Sequence, residues 1–541
     1  MKTAWYIITA FMCVQLVWAQ QSGTGSDGGN PGGTPIDVPD IIVRGSATLR
    51  LMTSSFLKQQ PKATTPLSKR DLDSMNPKQK HEILALAPSA PPSSIPVPSG
   101  FQGRVEASVG MFQTPEISAS YQTSVLGYAC SADAVFMSTQ GYQSGTDMHE
   151  IAAKVRGERM YANASGPLQA ELHNWSLSTR SLGYSLFAQP DSASKRAVSS
   201  FAITSGMDHI ISSMRIRSDL RLSSLTMDDT RSSRMRTSEQ QLYAAANVEI
   251  PSDSTAHRFQ VSVDLRPFAS VLMSDNILSY EYSTSMGDSR LSGRLGLRGG
   301  TASTTAQRLD LTGAIELNAG LLSNLRFNVK LYRDNPNTFF SQVFAGNPYL
   351  SSSAVFDFTP VNIGTGISLH YAQSKEFVAD VHGTYERFTR FAFPFLDTVS
   401  SAFVMNYISA VRLQLRAQVQ WLISRESQVV FQSTIQDVRD SANERMPYQA
   451  AISVRGGYVC RVSDSWTAEL GISYVSSRRR SLDRNSELPG YLYVDGRVDF
   501  AMTQSLSAFV RTTNLTNSSI FVFEEYRERG VFASLGIQWK F

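Results

Sequence analysis

The chain has 541 residues, of which 42% are hydrophobic and 18% are charged. This charged share lies below the roughly 25% of a typical soluble domain. The formal net charge is only +4, and the basic residues are interspersed with acidic ones, so no nucleic-acid partner is expected. Only three cysteines occur, and they lack the spacing of metal ligands, so no metal site or cofactor is expected.

Residues 1–19 have the pattern of a secretory signal peptide. Lys2 provides the positive start, residues 4–18 are almost all apolar, and Ala19 completes a small-residue cleavage pattern. Beyond residue 19 there is no run of about 18 apolar residues, which argues against a helical membrane span. We therefore expect an exported chain that is secreted, periplasmic or a β-barrel.

Residues 20–100 predict a short, mostly disordered arm. Residues 20–34 are rich in Gly and Ser and cannot bury enough apolar surface to offset the chain entropy of folding. Residues 37–45, D-V-P-D-I-I-V-R-G, form a β-prone segment within this arm. Residues 68–86 predict a short helix, and residues 88–98 predict an extended proline-rich spacer.

From residue 101 to residue 541, apolar and polar residues alternate in one segment after another. In residues 411–421 every odd-numbered residue is apolar and every even-numbered residue is Arg or Gln. Successive side chains of a strand point to opposite faces, so this strand has one apolar and one polar face. The same pattern recurs at 258–266, 325–332 and 377–386.

Such strands fit either a soluble sandwich or a membrane barrel, and three features favour the barrel. The strands have about 10–14 residues, enough to cross a tilted bilayer. They continue to the end of the chain with no helical layer. Short turns, at 362–364 and 424–427, alternate with long loops, at 388–402 and 481–489. We predict an all-β fold, a large transmembrane antiparallel β-barrel of about 22 strands spanning residues 101–541.

The chain ends in a strand whose apolar row finishes on an aromatic residue. Leu535, Ile537, Trp539 and Phe541 share one face of this strand. A free terminal strand offers unpaired backbone groups to another sheet edge. The pattern resembles the C-terminal signal that the outer-membrane assembly machinery recognises, so these four residues are expected to carry that signal.

A family resemblance rests on the last hairpin. Asn514-Leu515-Thr516-Asn517, followed by Tyr526, Gly530, Gly536 and Phe541, resembles the end of TonB-dependent receptors. The resemblance implies a barrel surrounded by outer-membrane lipid in a Gram-negative-type bacterium, with the arm in the periplasm. Members of that family begin with a TonB box, and residues 37–45 are similar to it in place and style. The resemblance implies a TonB contact by strand addition through Asp37, Val38, Asp40, Ile41, Ile42 and Val43.

The chain departs from the family where a plug domain should follow the box. Only a short, partly proline-rich stretch separates Gly45 from the first predicted strand. The plug is therefore expected to be missing. Three arrangements stay open: the arm fills the lumen as a minimal plug, a separate partner fills it, or the barrel is open or structural.

No residue constellation indicates catalysis, and the chain is not expected to be an enzyme. The seven His residues lack H-x₃-H spacing, although His370 and His382 lie on neighbouring predicted strands. Gly287-Asp288-Ser289 resembles an esterase block but is also favourable turn chemistry.

Whether Cys130 and Cys460 pair is left open. Arg478–Arg480 lie at a strand end, which predicts a loop tip or a contact with lipid phosphate.

The leading hypothesis is a barrel related to TonB-dependent receptors that moves or binds an unidentified solute at the outer membrane. The first alternative is a scaffold or surface-binding barrel without transport activity. The second alternative is a passive porin.

Overall fold

The computed structural model describes residues 103–541 apart from 143–145, 163–167, 187–194, 230–234, 305, 375, 398–401, 483–485 and 525. The predicted signal peptide, the arm, the TonB-box-like segment and the helix at 68–86 lie outside the described residues. No described helix is long and apolar enough to cross a membrane.

Twenty-two antiparallel strands form one continuous sheet. In chain order they are β1 (Gly103–Gly110), β2 (Thr114–Val125), β3 (Tyr128–Thr139), β4 (Met148–Ala162), β5 (Leu168–Ser185), β6 (Lys195–Ile211), β7 (Met214–Asp229), β8 (Met235–Pro251), β9 (Thr255–Phe268), β10 (Val271–Met286), β11 (Ser289–Thr301), β12 (Gln307–Leu322), β13 (Leu325–Asp334), β14 (Val361–Ser374), β15 (Phe377–Asp397), β16 (Ala402–Ser424), β17 (Ser427–Asp440), β18 (Ile452–Arg461), β19 (Trp466–Val475), β22 (Tyr491–Ala501), β23 (Leu506–Thr513) and β26 (Phe532–Lys540).

The remaining elements lie in the connections between wall strands. They are helix α1 (Phe340–Gly346) and two small strand pairs, β20 (Arg478–Arg479) with β21 (Glu487–Leu488) and β24 (Phe521–Phe523) with β25 (Tyr526–Arg527).

The sheet closes on itself because β1 pairs with both β2 and β26. In this seam Val105 lies opposite Trp539, and Gly103 exchanges backbone hydrogen bonds with Phe541. Closure leaves the barrel wall without a free edge. A strand-built structure can lie in lipid only in this closed form, because an open edge would leave backbone groups unpaired. The predicted all-β barrel of about 22 strands is confirmed. Some strands exceed the predicted length, and β16 has 23 residues.

The two faces of the wall are inverted relative to a soluble protein. On β16, Leu413 is 56% exposed, whereas its neighbour Gln414 is only 5% exposed. Gln414 donates a hydrogen bond to Gln436 on the adjacent strand β17. On β26, Leu535 is 65% exposed and Ser534 is 5% exposed. Apolar side chains turned outward in this way need a hydrocarbon surrounding, because water would make their exposure unfavourable.

The connections differ between the two ends of the barrel. At one end, which we call the turn rim, adjacent strands are joined by turns such as 126–127, 212–213 and 425–426. The opposite end, the loop rim, carries the long connections 335–360, 441–451, 476–490 and 514–531. This asymmetry is typical of outer-membrane barrels.

Two of the four predicted connections are corrected. Residues 362–364 lie within β14 rather than in a turn, because the strand ladder to β15 outweighs the local turn propensity of Asn-Ile-Gly. Residues 388–402 are mostly strand, because β15 and β16 stay paired as far as Asp397 and Ala402. The turn at 425–426 and the loop containing 481–489 lie where they were predicted.

Candidate functional site: the covered mouth of the barrel

The connection 335–360, which we call the lid, folds over the loop rim instead of projecting away from it. Asn335-Pro336 and Asn347-Pro348 interrupt regular structure at two points. Between them α1 buries Phe340 and Phe344. Burial of these aromatic side chains favours a lid that packs against the wall.

The lid reaches far around the barrel from its own strands, β13 and β14. Thr237 of β8 and Ser303 after β11 donate hydrogen bonds to lid carbonyls. On the other side, Leu350 bridges to Phe403 of β16, and Tyr349 stacks on Tyr526 with ring centroids 3.5 Å apart. Tyr526 lies in the connection between β23 and β26. The lid therefore spans the mouth of the barrel.

Arg196 of β6 holds the middle of the lid. Its guanidinium binds both oxygens of Asp229 at 2.7 and 2.8 Å and also donates to the carbonyls of Pro348 (2.6 Å) and Leu350 (2.9 Å). Its side chain is only 1% exposed. A buried guanidinium that is fully hydrogen-bonded in this way gives the lid a geometrically defined anchor.

A second anchor lies on β8 and β9. Arg266 binds Asp264 at 2.8 Å and Glu239 at 3.2 Å, and it donates to Ser341 of α1 at 2.9 Å. Ser341 in turn donates to Glu239. The Arg266 guanidinium also lies 3.8 Å from the centroid of the Phe339 ring. These contacts fix the start of α1.

A third anchor lies at the foot of the lid. Arg298 of β11 binds Asp275 at 2.6 Å and Asp334 at 2.7 Å. Asp334 is the last residue of β13, and its carboxylate accepts the backbone N–H of Asn335 at 2.8 Å. The lid is thus held at its start, at α1 and at its middle by arginines of the barrel wall.

The other long loops complete the cover. Phe523 packs against Tyr349, Phe403 and Tyr448. Burial raises the pKa of Tyr349 well above its ordinary value, and it raises the pKa of Tyr448 in the same direction. Both phenols therefore stay neutral in this apolar cluster across the physiological range.

Arg478–Arg480 occupy a different place from the one predicted. Arg479 pairs with Glu444 at 2.7 Å, and Arg480 pairs with Glu524 at 2.9 Å, so the triplet ties connection 476–490 to two neighbouring connections. Arg478 is 2% exposed, and its Nε and Nη1 have no hydrogen-bond partner among the described residues. Burial lowers its pKa to about 10. The predicted position at a loop tip was wrong, because these side chains pack between neighbouring connections.

Beneath the lid lies a cavity of about 540 Å³, which we call the chamber. Its roof includes Phe344 and Tyr349 of the lid, and Phe523 lies at its side. Its walls carry hydroxyl side chains such as Ser178 and Ser200 from β5 and β6. Aromatic surface combined with a few polar groups is typical of a small-molecule site.

Most charged groups of the chamber are already paired. Arg180 binds Glu150 at 2.8 Å, and Asp147 binds Lys195 at 3.0 Å. Burial alone would raise the pKa of Asp147, but hydrogen bonds from Ser185 and Lys195 outweigh it and lower that pKa below its ordinary value. Arg221 and Arg527 line the chamber without an ion-pair partner in the described part of the chain. Four basic and three acidic side chains line the chamber, so groups of both signs face the cavity.

The predicted site residues are distributed as follows. Asp37, Val38, Asp40, Ile41, Ile42 and Val43 lie outside the described residues. Leu535, Ile537, Trp539 and Phe541 all face outward on β26, with exposed fractions of 65, 54, 51 and 43%. None of these four residues of the last strand contributes to the lid or to the chamber.

The predicted chemistry candidates form no common site. His370 and His382 lie on the paired strands β14 and β15, as predicted, but His370 binds Asp380 at 2.6 Å and His382 binds Ser368 at 2.7 Å. Cys130 and Cys460 are free thiols. Within the described ranges, no group of three or more His, Cys, Asp or Glu side chains could hold a metal ion.

Sequence reasoning missed the lid and its anchors. The available signal was an interruption, because residues 335–360 lack the alternation of the surrounding strands and carry two Asn-Pro pairs and a Phe pair. Such a segment can project into solvent or fold over the mouth. The partners that decide between these outcomes, such as Arg196 and Arg266, are distant in sequence.

No protein-family model matches the sequence, and no curated protein matches it either. The structure, however, is similar to several solved transporters and receptors. The copper transporter OprC has a TM-score of 0.62 at 10% identity, with 82% of this chain and 81% of that chain covered. The FrpB iron transporter from Neisseria meningitidis has a TM-score of 0.61 at 9% identity, with the same shares covered. The ferric-catecholate import receptor Fiu from K12 E. coli has a TM-score of 0.58 at 11% identity, with 82% of both chains covered.

At these identities the likeness concerns the fold. The predicted resemblance is confirmed at that level: this chain has the 22-stranded closed barrel of TonB-dependent receptors.

Proposed function

We propose that the protein is an outer-membrane barrel that captures a small solute in the chamber and passes it through the lumen. The observation that supports this proposal best is the chamber itself, a partly polar and partly aromatic cavity under a lid held by wall arginines. Long connections face the cell exterior in outer-membrane barrels, which supports an outward loop rim and a periplasmic turn rim. In this arrangement the lid faces arriving solute.

Planar-bilayer recordings test this proposal against its two alternatives. The mature chain is expected to show no steady current, because the lid covers the mouth. A variant in which residues 338–352 are replaced by a short Gly-Ser linker is expected to conduct. A passive porin would conduct in both forms, and a scaffold with a filled lumen would conduct in neither. Either of these results would contradict the proposal.

Energy coupling is a separate part of the proposal. We infer that residues 37–45 bind TonB by strand addition, since their β-prone sequence suits that mode. A photo-crosslinker placed at Ile41 is expected to capture TonB in cells, whereas one placed at Thr64 is not. If no crosslink forms between Ile41 and TonB, the proposed contact through residues 37–45 is contradicted.

The C-terminal row is proposed to be the assembly signal. Phe541 stacks on Tyr121 of β2 at a centroid distance of 6.4 Å, and its backbone completes the seam with Gly103. Phe541→Ser is expected to lower the amount of heat-modifiable barrel in the outer membrane several-fold. The matched change Leu515→Ser, in a connection of the loop rim, is expected to leave that amount unchanged. Equal amounts of barrel in the two variants would contradict the role given to Phe541.

A further inference from the structure

The lumen wall contains a second cavity, distant from the lid. Strands β9–β13 surround a recess of about 290 Å³ close to the turn rim. Leu291 and Leu295 of β11 face outward, with 39% and 64% of their surface exposed. The alternating residues Arg290 and Arg294 therefore face the lumen, where both line the recess.

Small side chains create the space. Arg294 lies opposite Ala314 of β12, and Ser292 separates the two arginines along β11. A longer residue at either position would fill the volume between the guanidinium groups. The wall is therefore concave at the place where its positive charge is concentrated.

The carboxylates of the recess are already engaged. Glu281 pairs with Arg258 at 3.5 Å. Glu316 accepts a hydrogen bond from Asn328 at 2.6 Å and lies 4.0 Å from Lys330. Four basic residues thus face only two acidic ones in this recess.

The two arginines of β11 carry the surplus charge. Arg290 donates to the hydroxyl of Ser283 at 2.7 Å and has no carboxylate partner among the described residues. The side chain of Arg294 has neither a hydrogen-bond nor an ion-pair partner in that part of the chain. Planar guanidinium groups with free donors match the geometry of phosphate and carboxylate oxygens.

We propose that this recess is a binding site for a small oxyanion, the phosphate or carboxylate group of a solute, held by Arg290 and Arg294 with Lys330 beside them. The site is independent of the proposed capture in the chamber, because it requires only access from the lumen. It lies at the turn-rim end, where a solute crossing the barrel from the loop rim would leave.

Calorimetric titration of the mature protein with inorganic phosphate, in detergent at low ionic strength, tests the site. We expect saturable binding that Arg294→Gln weakens at least about tenfold, since the change removes charge-assisted hydrogen bonds to the anion. Arg294→Lys should retain part of the affinity, because it keeps the charge but loses the fork of donors.

Arg326→Gln is the matched control. On β13 the odd-numbered Leu331 faces outward, so the even-numbered Arg326 faces the lumen, as Lys330 does. Arg326 does not line the recess. This variant should bind phosphate as the unmodified protein does. The proposal is overturned if the unmodified protein does not bind phosphate, or if Arg326→Gln weakens binding as much as Arg294→Gln. Heat-modifiability of each variant checks that the barrel has folded.

Discussion

Arg196→Ala is expected to open the mouth of the barrel. The change removes two hydrogen bonds to the lid and leaves Asp229 buried without its partner. Breaking a buried ion pair on one side costs about 3–5 kcal/mol. The lid should therefore detach far more often, and a bulky, membrane-impermeant maleimide should label Ser178→Cys in the chamber at least about tenfold faster. The labelling is measured on intact cells after Cys130 and Cys460 have been replaced by Ser.

Three controls separate detachment of the lid from damage to the wall. Arg236→Ala removes a loose pair in which the arginine is exposed and lies 3.9 Å from the half-buried Asp228, and it should leave the rate unchanged. Ser441→Cys, on an exposed loop, should label rapidly in every background. The double change Arg196→Met with Asp229→Leu removes both buried charges, so no unpaired charge remains and the stability of the wall should recover. The lid should remain loose, because its hydrogen bonds to Arg196 are still missing. Equal chamber labelling with and without Arg196 would show that this anchor does not hold the lid.

Val263→Arg is expected to destabilise the barrel strongly, whereas Gln260→Arg on the same strand should be nearly neutral. Val263 is 38% exposed on the outer face of β9, and the alternation places Gln260 on the lumen side. An arginine facing lipid near the middle of the bilayer costs about 2–4 kcal/mol. In the lumen, the charge stays in a polar surrounding.

The measurement is the free energy of unfolding in lipid vesicles, obtained from urea titrations of both variants. The two variants should differ in the urea concentration at the midpoint of unfolding. The slope of the unfolding free energy against urea concentration should be the same for both. A larger loss for Gln260→Arg than for Val263→Arg would reverse the assignment of the two faces.

The wall was predictable because alternation is a local property. Residues 411–421 show both faces of β16 without reference to any partner strand, and Leu413 and Gln414 lie on the predicted sides. The terminal row at Leu535–Phe541 was predictable for the same reason. The resemblance of the last hairpin added the class of barrel, which alternation alone does not provide.

The extent of the strands and the covered mouth were not predictable in this way. The aromatic stretch 388–397 has no polar alternation, yet it remains strand because β16 stays paired with it as far as Asp397. The lid depends on contacts between residues such as Arg196 and Pro348, which are far apart in sequence. A single sequence contains the residues of such contacts but not their proximity.

The inverted wall is tested most directly by the tryptophans. Of the six in the chain, the four beyond residue 19 are Trp175, Trp421, Trp466 and Trp539. Trp421, Trp466 and Trp539 are 47, 46 and 51% exposed, and Trp175 shares the face of the outward Leu177 on β5. In vesicles of phospholipid with brominated acyl chains, the account predicts that more than about half of the tryptophan fluorescence is quenched, because aromatic girdles lie against the lipid. Unquenched fluorescence in these vesicles, together with quenching by iodide in water, would contradict it.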